Sequence, residues 1–195
     1  MASSPRRLFP AFILLLALCR AAFSAEVAGV KLEEREKLAG SELVLNGAGL
    51  RAKFVFKVYV IGLYLPAKTA DAAAAIGAAG PKRIALQMLR DVDADEFGEA
   101  LMKGMRDNNG EAEMKALEPR AQQLVAIMTR LKEAKEGMRI ALDWIPGSGT
   151  VVSVNGKAED APIPGEDFYR GLLRIWLGEH PVQADVKQAL LGAKP

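Results

Sequence analysis

Hydrophobic positions change period several times along this chain. The densest apolar stretch runs from Leu43 to Pro66, LVLNGAGLRAKFVFKVYVIGLYLP. Phe54 to Leu65 hardly alternates, which predicts a long strand buried on both faces with Lys57 as its only charge. Leu43 to Leu45 predicts the strand before it. Asn46-Gly47-Ala48-Gly49-Leu50-Arg51 predicts an elbow between the two, because glycine permits positive φ and close backbone approach. Upstream, Val27 to Leu32 reads as a short strand, and the charge run Glu33 to Lys37 as a solvated turn or helix face. Pro66 ends the long strand, since proline has no N–H for the ladder.

Downstream, Ala67 to Ala79 predicts a short surface helix ending at Gly80-Pro81, and Arg83 to Leu89 a strand. Asp93-Ala94-Asp95-Glu96 has the spacing of a capping box. Phe97, Leu101, Gly104 and Met105 then recur at helical spacing, predicting an amphipathic helix from Asp95 to about Asn108. Pro119 suits the first turn of another helix, whose apolar face is Leu117, Ala121, Leu124, Val125, Met128 and Leu131. Lys132 to Glu136 is polar and reads as solvated. Met138 to Ile145 and Thr150 to Val154 predict a hairpin closed by Pro146-Gly147-Ser148-Gly149, and Asn155-Gly156 signals a further turn. Phe168 to Leu177 is apolar on more than one side and predicts a deep helix, followed by a shorter one over Val182 to Leu191. Strands, helices, strands and helices without regular βαβ alternation predict an α+β fold, helices lying on one face of a mostly antiparallel sheet.

Composition changes this picture at the N-terminus. Arg6-Arg7 followed by apolar Leu8 to Leu18 and the small-x-small site Ala22-Phe23-Ser24 predict a secretory signal peptide over residues 1–25, with one domain over 26–195. Cleavage falls before Ala25 or just after it. An uncleaved anchor is the alternative, although the apolar run is short for a bilayer. Arg6-Arg7-Leu8-Phe9 matches a twin-arginine signal only in part. The expected destination is the periplasm. Removing the leader's three arginines from the 26 basic residues leaves 23 against 24 acidic ones, so net charge points to neither nucleic acid nor an anionic membrane surface. Cys19 lies in the leader, so the exported chain would carry no thiol and no disulfide.

Chemistry is sparse. Gly47-x-Gly49 lacks the third glycine and the following helix of a dinucleotide site. One histidine, His180, in a turn between Gly178-Glu179 and Pro181, leaves no metal cluster and no histidine triad. No cofactor or metal is implied. Arg51, a permanent cation beside the most apolar strand, has two readings. It snorkels to solvent or pairs with a surface carboxylate, or it stands at the mouth of an apolar pocket and holds the anionic end of an amphiphile.

Asn46-Gly47-Ala48-Gly49-Leu50-Arg51, then Lys53-Phe54 and Lys57-Val58-Tyr59-Val60-Ile61-Gly62-Leu63-Tyr64-Leu65, resembles the chalcone isomerase family, whose plant enzymes carry a Gly-Ala-Gly-x-Arg turn before a comparable strand. Trp176-Leu177-Gly178-Glu179-His180-Pro181-Val182 and Asp185-Val186-Lys187 resemble its C-terminal helical turn. The likeness runs over about Val27 to Leu191 and is nearest to exported bacterial chalcone-isomerase-like proteins. It implies an open-faced β-sandwich with a ligand cleft between sheet and helices. Arg51 matches the arginine that steadies the anionic oxygen during cyclisation. The strand threonine of the enzymes falls at Tyr59, the helix tyrosine near Phe97, the helix asparagine near Gly104, and the C-terminal serine or threonine near Ile175. Cyclisation needs several placed donors, and these replacements supply few. Non-catalytic plant relatives keep the arginine and a tyrosine and bind fatty acids. The resemblance therefore implies a non-catalytic binder of a small amphiphile such as a fatty acid, with Arg51 at the carboxylate, Tyr59 donating, and Phe97, Leu101, Met105 and Trp176 along the apolar part. An isomerase or lyase on another substrate, and an envelope interaction protein with a vestigial cleft, are the alternative readings. Oligomeric state is not readable.

Overall fold

A computed structural model describes residues 24–193; the predicted signal peptide, apart from Ser24 and Ala25, lies outside them. The chain opens with β1 (Ser24–Val27) and β2 (Val30–Glu33), two strands where one short strand was expected, paired through the tight turn Ala28-Gly29. The expected solvated run is an edge strand, β3 (Arg35–Leu38), whose charges point outward while Leu38 is buried. Such charges suit an edge, where they discourage pairing with another chain.

The glycine-rich segment does not bend the chain. It lies inside one long strand, β4 (Ser41–Lys53), with a bulge between Leu45 and Gly47. The following strand, β5 (Phe56–Leu65), is buried only from Tyr59 onward. Phe54 and Val55 form the turn between the two strands and are exposed, so the expectation of a strand buried from Phe54 is corrected here. Then come α1 (Ala72–Gly77), capped by the Asp71 carboxylate, and β6 (Lys82–Met88). Two-residue β7 (Val92–Asp93) leads into α2 (Ala94–Asn108), whose Asp93 cap accepts the Asp95 and Glu96 N–H groups.

The next helix, α3 (Glu111–Arg130), begins before Pro119, which therefore sits in its interior and not in its first turn. Proline there leaves the Lys115 carbonyl without its helical donor, while Arg120 turns its guanidinium back onto the neighbouring Ala116 carbonyl (3.2 Å). The polar stretch beyond contains β8 (Glu133–Ala134), paired with β7. Strands β9 (Arg139–Ile145), β10 (Gly149–Val154) and β11 (Lys157–Ala158) follow, then α4 (Glu166–Leu177) and α5 (Ala184–Leu190).

Seven strands form one antiparallel sheet in the order β11-β10-β9-β6-β5-β4-β3. The main core lies between one face of it and the helices, where Tyr59, Ile61, Leu63 and Leu65 meet Phe97, Leu101, Leu124, Phe168 and Trp176. On the opposite face the β1–β2 hairpin covers Leu43, Leu45, Val60 and Tyr64. The rest of that face is an open, polar groove around Arg83, Gln87, Arg139 and Ser153. Among the described residues no helix is long and apolar enough to cross a membrane.

Arg120 also ties α3 to α4 through a two-pronged bond to Asp167 (2.7 and 2.6 Å), and this fork holds the Asp167 carboxyl below its ordinary range. A carboxyl depressed in the folded state stabilises above its unfolded value and loses that contribution as pH falls through the folded one. Asp167→Asn is therefore expected to lower the urea midpoint at neutral pH, and the gap from wild type to close below about pH 4. A gap independent of pH would remove this ion pair from the account.

Candidate functional site

Arg51 reaches the helix side because of the bulge. Leu43 and Leu45 face the hairpin-covered side, and so do Ala48 and Leu50, so the side-chain parity of β4 shifts by one between them. A one-residue slip sends every later side chain to the other face. Gly47, Gly49 and Arg51 consequently stand opposite Leu63, Ile61 and Tyr59, on the side of the main core.

The two glycines seat α5. A Cβ on Gly47 would collide with the Ala189 carbonyl oxygen and lie 2.8 Å from the Leu190 carbonyl carbon; one on Gly49 would lie 3.1 Å from Ala189 Cβ. Beside them the buried Asn46 Nδ2 donates to the Leu190 and Thr69 carbonyls (2.6 and 3.0 Å), and its Oδ1 accepts the Thr69 N–H (2.7 Å). With α5 clamped down, Gln183 at its N-terminus brings its Oε1 to 3.1 Å from Arg51 Nη1 and 3.0 Å from the Ala52 nitrogen, accepting from both. Arg51 Nη1 also donates to the Ala52 carbonyl. The guanidinium is half-buried, held by neutral oxygens, and among the described residues it makes no ion pair.

Next to Arg51 a cavity of about 130 Å³ opens between β5, α2 and α4. Val58, Phe97, Leu101, Ile175, Trp176 and Val182 give it apolar walls, and Lys53 and Glu96 stand on the rim, 3.0 Å apart and both well solvated. Tyr59 completes the polar end. Its hydroxyl oxygen accepts the Trp176 Nε1–H at 3.0 Å, and its own proton has no acceptor among the described residues. Burial raises the Tyr59 pKa, against smaller opposing effects of the Trp176 bond and the Arg51 charge, so the phenol stays neutral and able to donate.

Five of the six residues expected along the ligand, Arg51, Tyr59, Phe97, Leu101 and Trp176, line this one cavity. Met105 does not line it; one turn beyond Leu101 on α2, it is buried in the main core. Gln183, Val58, Val182 and the Lys53–Glu96 pair were not foreseen. Gln183 follows directly on the C-terminal segment that carries the family likeness, which is the one signal pointing to it. The positions matched to the enzymes' other polar groups gather here too. Ile175 lines the cavity, and a Cβ on Gly104 would fall 2.8 Å from Ile175 Cγ2. The bare glycine makes room for the isoleucine, and neither residue offers a side-chain hydrogen bond to a substrate. Among the described residues no group of acids, histidine or cysteine is arranged to hold a metal ion.

The comparisons with known proteins agree with this architecture. No curated protein matches the chain in sequence. The crystal structure of a fatty-acid binding protein of Arabidopsis thaliana superposes with a TM-score of 0.65, covering 87% of this chain and 96% of that one at 17% identity. That likeness shows the fold. Residues 24–192, nearly the whole described chain, match the family described as chalcone isomerase-like, and this chain belongs to that family.

Proposed function

We propose that this protein is a non-catalytic binder of a small amphiphilic carboxylate, such as a fatty acid, and that it is exported through residues 1–25 and works in the periplasm. One observation carries the binding reading. A guanidinium with no acidic partner among the described residues and a phenol with an unspent proton stand together at one end of an otherwise apolar cavity. A carboxylate bound there would meet the Arg51 cation and the Tyr59 O–H, with its tail against Phe97, Leu101 and Ile175. The fatty-acid binding protein that shares the fold supports this choice of ligand class. Phe97, Gly104 and Ile175 support the absence of turnover, because losing one placed donor already costs about 3–4 kcal/mol of transition-state stabilisation.

Arg51→Ala is expected to weaken a straight-chain carboxylate about tenfold or more, since a hydrogen bond to a charged group is worth roughly 1.5–3 kcal/mol. Calorimetric titration of hexanoate into wild type and variant measures this, and equal affinities would take Arg51 out of the site. Chalcone and related enones are expected to react no faster with the protein than without it. Turnover abolished by Arg51→Ala would replace the binding reading with an enzymatic one. N-terminal sequencing of protein recovered from the periplasm is expected to begin at Ala25 or Glu26.

A further inference from the structure

The β4–β5 turn is built unlike the other tight turns of this chain. Those use Ala28-Gly29, Ala39-Gly40 and Asn155-Gly156, small or turn-forming residues suited to positive φ. Here the turn is Phe54-Val55, with Phe54 held at φ +56°, a conformation disfavoured for a bulky side chain. No internal packing compensates for it. Phe54 is 91% exposed, Val55 87% and Phe56 55%, and they are the only large hydrophobic side chains exposed among the described residues. Three apolar side chains projecting together from the end of a narrow hairpin form a wedge, not a flat face.

Basic groups surround the wedge. Lys53 and Lys57 flank it in sequence, and the Arg90 guanidinium lies 5.0 Å from the Phe56 ring centre. The acids nearby are accounted for. Glu96 pairs with Lys53, and the Asp91 carboxylate accepts the Glu136 N–H, which leaves Lys57 and Arg90 without an acidic partner among the described residues. The domain's near-zero net charge conceals this local positive site. The hairpin is also made of the two strands that carry Arg51 and Tyr59, and Lys53 and Val58, on either side of the tip, line the cavity.

We propose that this hairpin tip inserts into the surface of an anionic phospholipid bilayer and so holds the cavity mouth against the lipid. Aromatic and aliphatic side chains partition into the headgroup and acyl boundary, and neighbouring lysine and arginine are drawn to anionic headgroups. Mouth and tip then face the membrane together, the position from which an amphiphile enters or leaves a cavity without crossing water. The docking does not depend on what the cavity holds.

The test places a reporter in the tip, so that any attachment through residues 1–23 is told apart from it. Phe54→Trp is made in the full chain and mixed with phosphatidylcholine vesicles, with and without phosphatidylglycerol, whose acyl chains carry bromine as a quencher. Trp144 and Trp176 are buried and give wild type an unquenched baseline. With phosphatidylglycerol present, the added indole is expected to shift to the blue and lose most of its emission to bromine. Lys57→Glu in the same background, or high salt, is expected to reverse both changes. Vesicle attachment with no quenching beyond the wild-type baseline overturns the proposal, as does an absence of attachment. Equal quenching in vesicles lacking phosphatidylglycerol overturns its anionic part. A blue shift that grows with protein concentration in lipid-free buffer assigns the tip to a second copy of the chain, and the proposal fails.

Discussion

Gly47→Ala is expected to lower the unfolding free energy by about 2–4 kcal/mol, more than most surface-strand substitutions, and to weaken carboxylate binding with it. The added methyl has nowhere to go. Its nearest neighbours are the Ala189 and Leu190 carbonyl groups, which are backbone and do not rotate away as a side-chain end would. Relief requires α5 to lift from β4. Lifting it breaks the 2.6 Å bond from Asn46 to the Leu190 carbonyl and withdraws Gln183 from Arg51. Stability and binding are thus linked through one helix. Gly77→Ala is the control, because a Cβ there meets nothing within 4 Å at the last residue of α1, and alanine is the better helix former. Gln183→Ala separates the two effects, since it releases the guanidinium without disturbing the glycine seat. Urea melts and hexanoate titrations on the three variants read the outcome. A Gly47→Ala protein as stable as wild type would mean that α5 does not rest on this strand.

The same segment shows what was legible in the sequence and what was not. The likeness around Asn46 to Arg51 identified the right arginine, and helical spacing of Phe97 and Leu101 put them on the buried face of α2. Alternation over β6 and the double-sided apolar character of α4 predicted their places in the core for the same reason: burial of a face leaves a period. The glycines were read as an elbow because glycine signals freedom at the level of one residue. Their purpose is close approach by α5, which lies at the far end of the chain and leaves no local trace. Arg35 to Lys37 read as solvated because the charges of an edge strand look like those of a loop. Phe54 to Phe56 read as core because an apolar run carries no mark of which side faces water. Gln183 had no pattern to belong to; two hydrogen bonds across the fold give it a role.

Phe97→Ala is expected to change which carboxylate the protein prefers. The cavity of about 130 Å³ resembles in size one that holds a single benzene ring, so it encloses roughly six carbon atoms. Pockets for larger ligands start near 300 Å³. Along a series of straight-chain acids, each methylene buried contributes about 0.8 kcal/mol, a factor of roughly four in affinity. In wild type this gain is expected to stop near hexanoate, where the tail meets the walls formed by Phe97, Leu101 and Ile175. Truncating Phe97 opens space on the order of 100 Å³ at the cavity wall, so the gain continues for about three or four more carbons. The variant's preference then moves from hexanoate toward decanoate by one to two orders of magnitude, about four-fold for each added methylene. The truncation also lowers stability by about 3–5 kcal/mol, so Phe97→Leu, a smaller change at the same wall, serves as the folded fallback with a smaller shift. Calorimetry across the series separates the possible outcomes. Parallel profiles in wild type and variant would place the tail away from Phe97. Affinity that keeps rising past hexanoate in wild type would show α2 or α4 yielding to a longer chain, because walls that hold their packing leave an added methylene in water, where it contributes nothing.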